Sequence, residues 1–221
     1  HVVFQATAPD DGNWEIYYVQ STGGGTTFSD PIRITSSPSN AMMPDVTVGY
    51  PGGKERVTVV WHDGRFGDFE IMSAARIDGI WASSGQGGSD SRVTQSAGNS
   101  LFPRVESDGD GNVYAVYHDD RDGKTGVYES KFVAQTGSWA SSGNGGSDRK
   151  VSSEVEAQHP DVALDCLSSP LVVWHGAKAN IQQVSGYYCP PKPEDQTKLV
   201  TCVVPVVSNT YKDMNVQFEF V

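Results

Sequence analysis

The sequence predicts an all-β domain made of repeated sheets, each of four short strands. The first observation is composition: the 221 residues include 24 Gly and 12 Pro, spread along the whole chain, which excludes a helical bundle. The second is a repeat. Four short apolar runs end in the aromatic residues Phe4, Trp61, Tyr117 and Trp174, which are 57, 56 and 57 residues apart. The chain therefore consists of about four similar units.

Further markers surround these runs in a constant order, and each indicates one more strand of the unit. A Pro-x-Val marker precedes three of the runs, at Pro44-Asp45-Val46, Pro103-Arg104-Val105 and Pro160-Asp161-Val162. A third strand follows the run, at Glu15-Ile16-Tyr17, Glu70-Ile71-Met72 and Gly126-Val127-Tyr128. A fourth closes the unit, at Arg33-Ile34-Thr35, Arg92-Val93-Thr94 and Lys150-Val151-Ser152. Gly, Asp, Asn and Pro between the runs mark the turns.

Four-stranded units of this length, stacked around an axis, are the blades of a β-propeller. The sequence thus predicts one propeller domain over 1–221, with units of about 1–40, 41–98, 99–156 and 157–210. The first unit lacks its first strand, and the strand-like tail 211–221 is predicted to complete it and close a ring of four blades. Closure would remove exposed sheet edges. A fragment of a larger propeller is the alternative, and it stays open.

Charge limits the partners. Lys and Arg total 16, Asp and Glu total 27, and the net charge is −11. So few cations cannot form a basic stripe, which argues against nucleic acid and anionic lipid as the main partner. No apolar run reaches the length of a membrane span, so membrane insertion is not expected.

Three segments carry a resemblance to a known family. Residues 61–71, Trp-His-Asp-Gly-Arg-Phe-Gly-Asp-Phe-Glu-Ile, and residues 117–123 resemble the repeat of bacterial sialidase-like (BNR-type) propellers. Residues 21–28 resemble the Asp-box of that family, with Gly23 in place of its Asp. The resemblance covers about three units and implies a propeller fold. Such repeats are shared by sialidases, other glycosidases, lectins and adhesins, so the resemblance implies no single function.

The sialidase catalytic pattern is not found. The Phe/Tyr-Arg-Ile/Leu-Pro motif that carries the first substrate-binding arginine of that family is absent, and no unrepeated pair of carboxylates suggests glycoside hydrolysis. Arg65 and Arg121 recur at the same place in their units, each two residues after an Asp. We expect them to form local ion pairs with Asp63 and Asp119 that hold the turn.

The two most similar stretches within the chain are copies of a turn segment. WASSGQGGSD from Trp81 recurs as WASSGNGGSD from Trp139, with nine of ten residues identical. The candidate ligand-binding residues are Trp81, Ser83, Ser84, Asp90, Trp139, Ser141, Ser142 and Asp148, which could supply stacking platforms and polar contacts for a sugar. The competing interpretation, favoured for the tryptophans, places both rings inside their blades, where the Asp-box aromatic Phe28 sits in the first unit. The polar residues would then only shape a turn.

Acidic turns are the candidate ion sites. Oxygen-bearing side chains alternate at Asp108, Asp110 and Asn112 and cluster at Asp119, Asp120 and Asp122, so calcium is the one cofactor to which the sequence points. A solvated β-turn explains the same residues and is the favoured interpretation. His62, His118 and His175 each follow a repeat aromatic, but the second strand lies away from the axis, where contacts to a neighbouring blade are expected rather than a metal.

The chain has three cysteines, and a disulfide bond between two of them would fit an oxidising compartment. We expect Cys189 and Cys202 to form a disulfide bond across a hairpin of the fourth unit, which leaves Cys166 free or paired with another chain. A Cys166–Cys189 bond is the alternative.

The functional prediction is an extracellular or periplasmic module that binds carbohydrate or a cell-surface protein without catalysis of its own. Two alternatives remain. One is a sialidase-like glycoside hydrolase domain or fragment. The other is a structural repeat unit of a surface layer or fibre, which would assemble with other protein chains. A buried unpaired carboxylate at the axis would favour the enzyme, and exposed Trp side chains on one rim would favour sugar binding.

Overall fold

The structure, a computed structural model, describes residues 1–153, 156–165, 167–178 and 181–188. Within these ranges the chain forms only β-strands and three short 3₁₀ turns, Pro51–Gly53, Ser84–Gln86 and Ser142–Asn144. The all-β prediction is confirmed.

The strands form four antiparallel sheets in chain order. Sheet 1 contains β1 (Val2–Thr7), β2 (Trp14–Val19) and β3 (Ile32–Arg33). Sheet 2 contains β4 (Ala41–Gly49), β5 (Arg56–Phe66), β6 (Asp68–Ile77), β7 (Ile80–Ala82) and β8 (Ser91–Arg92). Sheet 3 contains β9 (Ser100–Ser107), β10 (Val113–Asp119), β11 (Gly126–Val133), β12 (Ser138–Ala140) and β13 (Arg149–Lys150). Sheet 4 contains β14 (Gln158–Leu164), β15 (Pro170–Lys178) and β16 (Ile181–Tyr188).

Each sheet follows the order of the sequence markers. The Pro-x-Val markers lie on β4, β9 and β14, and the apolar runs lie on the strands that pair with them. In sheets 2 and 3 the outermost strand consists of two short segments. In sheet 2 both β7 and β8 pair with β6, and in sheet 3 both β12 and β13 pair with β11. The WASSGxGGSD segments connect the two halves.

Apolar residues on successive positions of one strand face different sheets. Val59 packs in a cluster with Tyr18 of sheet 1, whereas the next residue, Val60, packs in a cluster with Tyr117 of sheet 3. A third cluster joins Val116 of sheet 3 to Trp174 of sheet 4. The continuous apolar runs therefore arise because these strands are covered on both faces.

The first described strands of neighbouring sheets lie side by side. β4 contacts β9, β9 contacts β14, and β1 contacts β4. Sheets packed face to face in chain order, with their first strands adjacent, form a propeller-like arrangement. This geometry brings equivalent positions of β4, β9 and β14 together on one side of the molecule, which we call the axial side.

Three sequence predictions lie outside the described residues. These concern Cys166, the Cys189–Cys202 bond and the closing strand in 211–221. Peptide mapping without reduction tests the bond, and two free thiols at Cys189 and Cys202 would reject it. In the part of the chain that the structure describes, no helix is long and apolar enough to cross a membrane.

Candidate functional site

Three side chains at equivalent positions of the first strands define the candidate site. Met43, Phe102 and His159 each stand directly before the proline of a Pro-x-Val marker, and their φ angles are 53°, 53° and 47°. Non-glycine residues rarely adopt this left-handed region, at a cost of about 1–3 kcal/mol each. Such strain often marks a binding site, because it persists only where the surrounding structure enforces it.

The proline explains why the strand is irregular at this point. Proline has no N–H to donate to the neighbouring strand, so inside a sheet it is found at edges and bulges. The pairing register shifts between Met42 and Asp45 on β4, and between Gln158 and Asp161 on β14. On β10, opposite Pro103, it shifts between Val116 and His118. Bulges change the direction in which a side chain leaves the sheet.

A side chain of the preceding sheet holds each left-handed residue. The Met43 N–H donates to Gln5 Oε1 at 2.7 Å, and the Phe102 N–H donates to His62 Nδ1 at 3.3 Å. The His159 N–H likewise donates to His118 Nδ1 at 3.2 Å.

The sequence-predicted contact with a neighbouring sheet is therefore found for His62 and His118, whereas His175 stacks on His159 of its own sheet. Among the described residues, no group of three or more His, Cys, Asp or Glu is placed to hold a metal ion.

The aromatic and imidazole rings form one cluster. The Phe102 ring centroid lies 4.4 Å from that of His159 and 5.2 Å from that of His118. The His159 ring stacks on His175 at 5.0 Å with an interplanar angle of 19°. Met43 and His159 are exposed and Phe102 is half-buried. We call Met43, Phe102, His159 and the three charged residues described next the axial mouth.

Charged residues follow the prolines on the same strands. They are Asp45, Arg104 and Asp161, and none forms an ion pair within the described ranges. Asp45 is half-buried and accepts hydrogen bonds from the Val46 N–H at 2.9 Å and the Val105 N–H at 3.0 Å. Burial raises the pKa of the Asp45 carboxyl, the charge of Asp161 raises it further, and these N–H groups and Arg104 oppose the rise.

The predicted ion pairs at the turns are confirmed, and each has an additional partner. Arg65 binds the buried Asp63 at 2.6 Å and also Asp90 at 2.8 Å. Arg121 binds Asp119 at 2.6 Å and Asp148 at 2.8 Å. Burial alone would lower the pKa of Arg65, but its two carboxylate partners outweigh burial and raise it.

The candidate ligand residues of the WASSGxGGSD segments are buried or half-buried. Trp81 and Trp139 are only 7% and 5% exposed, and they pack between sheets, with the Trp81 ring 5.0 Å from Tyr18 of sheet 1. Phe28 is 50% exposed and follows its Gly-rich loop instead of preceding it, so its predicted equivalence to the two tryptophans is wrong.

The polar residues of these segments bind one another. Ser84 Oγ donates to Asp90 Oδ2 at 2.6 Å, and Ser142 Oγ donates to Asp148 Oδ2 at 2.6 Å. Ser83 and Ser141 are fully buried. A sugar-binding role for this set stays a prediction, and it would require a ligand to displace these contacts.

The predicted calcium turns are also joined by internal bonds. Asp108 accepts hydrogen bonds from the Asp110 N–H, the Asn112 N–H and the Asn112 side-chain amide, at 3.0, 2.8 and 2.8 Å. Asp120 accepts the Asn99 N–H at 2.7 Å, and Asp122 binds Lys150 at 2.7 Å. Calcium binding at these turns stays a prediction.

The sequence contained an overlooked signal for the axial mouth. Around each Pro-x-Val marker the proline and valine recur, whereas the residue before the proline is Met, Phe or His and the residue after it is Asp, Arg or Asp. Repeated residues maintain the fold of each unit. Variation at a geometrically repeated position is therefore the pattern expected of an asymmetric binding site.

Comparisons with known proteins show weak structural similarity. No family model matches the chain, and no curated protein sequence matches it. An endo-arabinase from Bacteroides thetaiotaomicron is 12% identical, with a TM-score of 0.42 over 86% of this chain and 75% of that one. A GH43 endo-arabinanase from Bacillus licheniformis is 13% identical, with a TM-score of 0.46 over 84% and 68%. A fucose lectin from Kordia zhangzhouensis is 12% identical, with a TM-score of 0.36 over 65% and 96%. At these values the similarity assigns neither a family nor an activity.

Proposed function

We propose that this chain is a secreted, non-catalytic module that binds a carbohydrate at the axial mouth. The observation that supports the proposal is the ring cluster of Phe102 and His159 beside Asp45, Arg104 and Asp161, which form no ion pairs among themselves or with other described residues. Ligand sites typically combine apolar ring surface with a few polar groups that fix orientation. A sugar offers matching chemistry, since its C–H faces stack on rings and its hydroxyls bond to carboxylate and guanidinium groups.

The mouth suits this role better than the WASSGxGGSD segments. Met43 is 42% exposed, whereas Trp81 is 7% exposed and Asp90 already binds Arg65 and Ser84. Met43, Arg104, His159 and Asp161 are exposed to solvent, whereas a ligand would have to break buried contacts to reach Trp81.

A glycan array tests the proposal with matched variants. His159→Ala and Arg104→Ala should each weaken glycan binding by at least about tenfold, because each removes a contact group. Phe28→Ala removes an exposed aromatic side chain outside the mouth and should leave affinity unchanged. Absence of any bound glycan would overturn the proposed function, and undiminished binding by both mouth variants would overturn the proposed site.

Glycoside hydrolysis is the second candidate function, and the half-buried carboxyl of Asp45 favours it. Hydrolysis needs two carboxyl groups, one of them kept protonated to act as the acid. Asp45 and Asp161 lie on first strands near enough for their charges to interact, and burial raises the pKa of Asp45. Fluorogenic glycosides, a sialoside among them, should then be cleaved by the wild type and not by Asp45→Asn. Asp78→Asn, in an exposed pair with Lys54, is the matched control. No cleavage of any substrate rejects this candidate.

We also propose that the sheets close into a ring of four, with 211–221 supplying the first strand of sheet 1. In the described part of the chain β1 pairs only with β2, whereas β4, β9 and β14 provide the first strands of the other sheets. The tail contains Asn215-Val216, which aligns with the Asp45-Val46 part of the marker.

A further inference from the structure

We infer that Gln5, His62 and His118 are positioning residues of the axial mouth, and that His62 makes the position of Phe102 depend on pH. The inference rests on the proposed function only in naming the mouth as a binding site. In three sheets the residue after the apolar-run aromatic accepts the N–H of the left-handed residue of the next sheet.

The left-handed conformation needs such a partner. The N–H group of Phe102 lies at the bulge of β9, where the regular ladder is interrupted, and His62 Nδ1 is its partner. A strained backbone that loses its partner relaxes toward a common conformation. Relaxation at this position would move the Phe102 ring relative to His159, which lies 4.4 Å away. The acceptor therefore sets the geometry of the mouth without touching the ligand.

Imidazole and amide acceptors differ in one property. Gln5 accepts through an amide oxygen, which does not titrate in water, whereas His62 Nδ1 accepts only while that nitrogen carries no proton. His62 is 3% exposed, and its pKa is lowered from 6.5 to about 4, chiefly by burial and also by the charge of His118, against an opposing effect of Asp63.

Two uncharged rings also pack against His62. The ring centroids of Phe69 on β6 and Phe102 on β9 lie 5.0 and 5.8 Å from that of His62. Asp63 on the same strand, whose charge opposes the shift, is itself paired with Arg65. Because the pKa is lower in the folded state, the contribution of this contact to stability is present above about pH 6.5 and is lost as the pH falls toward 4.

Amide hydrogen exchange of the protein without ligand is the direct test. As the pH falls from 6.5 to 4, the protection factor of the Phe102 amide should fall by at least about tenfold more than that of the Met43 amide. Both factors are corrected for the intrinsic pH dependence of exchange. The Met43 amide, held by Gln5, is the internal control.

Conservative variants separate positioning from general stability. His62→Gln supplies the acceptor that the chain itself uses at Gln5, so the Phe102 amide should stay protected and lose its pH dependence. His62→Ala should lose protection at every pH. If His62→Gln does not fold, the reciprocal variant Gln5→His should confer the same pH dependence on the Met43 amide. Equal pH responses of the two amides in the wild type would overturn the inference.

Glycan affinity is measured separately. It should fall more steeply between pH 6.5 and 4 in the wild type than in His62→Gln, in which His118 and the Asp45 carboxyl still titrate. Because the exchange experiment contains no sugar, a protein that shows the exchange pattern but binds no glycan rejects the proposed function alone. A protein that binds glycan at the mouth without the exchange pattern rejects the positioning role alone.

Discussion

At the scale of single residues, the repeated charges hold turns. Asp63 and Asp90 lie 27 positions apart in sequence and are both buried against one guanidinium, that of Arg65. Asp63 also accepts the Trp61 indole N–H at 3.1 Å and the Ser37 hydroxyl at 2.9 Å, so its remaining acceptor sites are satisfied. A buried charge is tolerated only when it is paired and hydrogen-bonded in this way.

Removing Arg65 should therefore destabilise the fold strongly. Arg65→Met leaves two buried carboxylates without a cation, and we expect a loss of about 3–5 kcal/mol in the free energy of unfolding, measured by urea denaturation. Lys54→Met breaks the exposed pair with Asp78 and should change the midpoint very little. Similar effects of the two substitutions would contradict the role assigned to the Arg65 network.

Trp81 tests the choice between packing and ligand binding. The ring belongs to the cluster between sheets 1 and 2, so Trp81→Ala should cost about 3–5 kcal/mol in thermal or urea unfolding. Phe28→Ala, at a half-exposed ring, should cost far less. An unchanged stability of Trp81→Ala together with a loss of glycan binding would show that the packing interpretation is wrong.

At the scale of elements, the WASSGxGGSD segments fasten each sheet to the preceding one. The Gly85 N–H donates to the Ile34 carbonyl at 2.9 Å, and the Ser36 N–H donates to Ser84 Oγ at 2.9 Å. The second copy repeats both bonds, from the Gly143 N–H to the Val93 carbonyl at 3.0 Å and from the Gln95 N–H to Ser142 Oγ at 2.9 Å. The two segments are nearly identical in sequence, and each forms the same two hydrogen bonds to the preceding sheet.

Gly85 is glycine because of close packing. A Cβ at this position would lie 2.6 Å from the Arg33 carbonyl oxygen and 2.7 Å from the Ile34 carbonyl carbon. Gly85→Ala should therefore separate sheets 1 and 2 locally and cost about 1–3 kcal/mol in a thermal melt. Gly109→Ala is the control, since nothing lies within 4 Å of its Cβ position. Equal melting temperatures of the two variants would refute the docking role.

At the scale of the whole molecule, each sheet packs against the sheets that precede and follow it in the chain. Whether sheets 1 and 4 also have partners on their outer sides therefore affects how cooperatively the fold unfolds. β1 is an edge strand in the described residues. Exposed edges invite association with other chains, and a closing strand removes that hazard.

Deletion of residues 213–221 tests closure. If the tail supplies the missing first strand, the truncated protein should melt at a lower temperature in a single cooperative step and associate more readily in solution. Calorimetry and light scattering measure the two effects. An unchanged melting temperature would show that the tail is not a strand of sheet 1.

The sequence by itself determined the local organisation of this protein. The four sheets, the strand order in each and the pairs Asp63–Arg65 and Asp119–Arg121 follow from apolar periodicity, turn residues and short spacings, which act between neighbours in the chain. The resemblance to sialidase-like repeats agreed with a propeller-like arrangement but could not assign a function, because repeated residues maintain blades whatever the blades bind.

Only the tertiary structure decided which distant residues meet. Phe102 and His62 are 40 positions apart, yet the packing of β9 beside sheet 2 joins the amide of one to the ring of the other. Burial likewise placed Trp81 in the core and left Met43 exposed. Contacts between sheets depend on how side chains of different units pack together, and the residue pattern along one strand does not specify which residues of another unit it will contact. The axial mouth is therefore a product of packing, even though each of its residues stands beside a marker that the sequence displays.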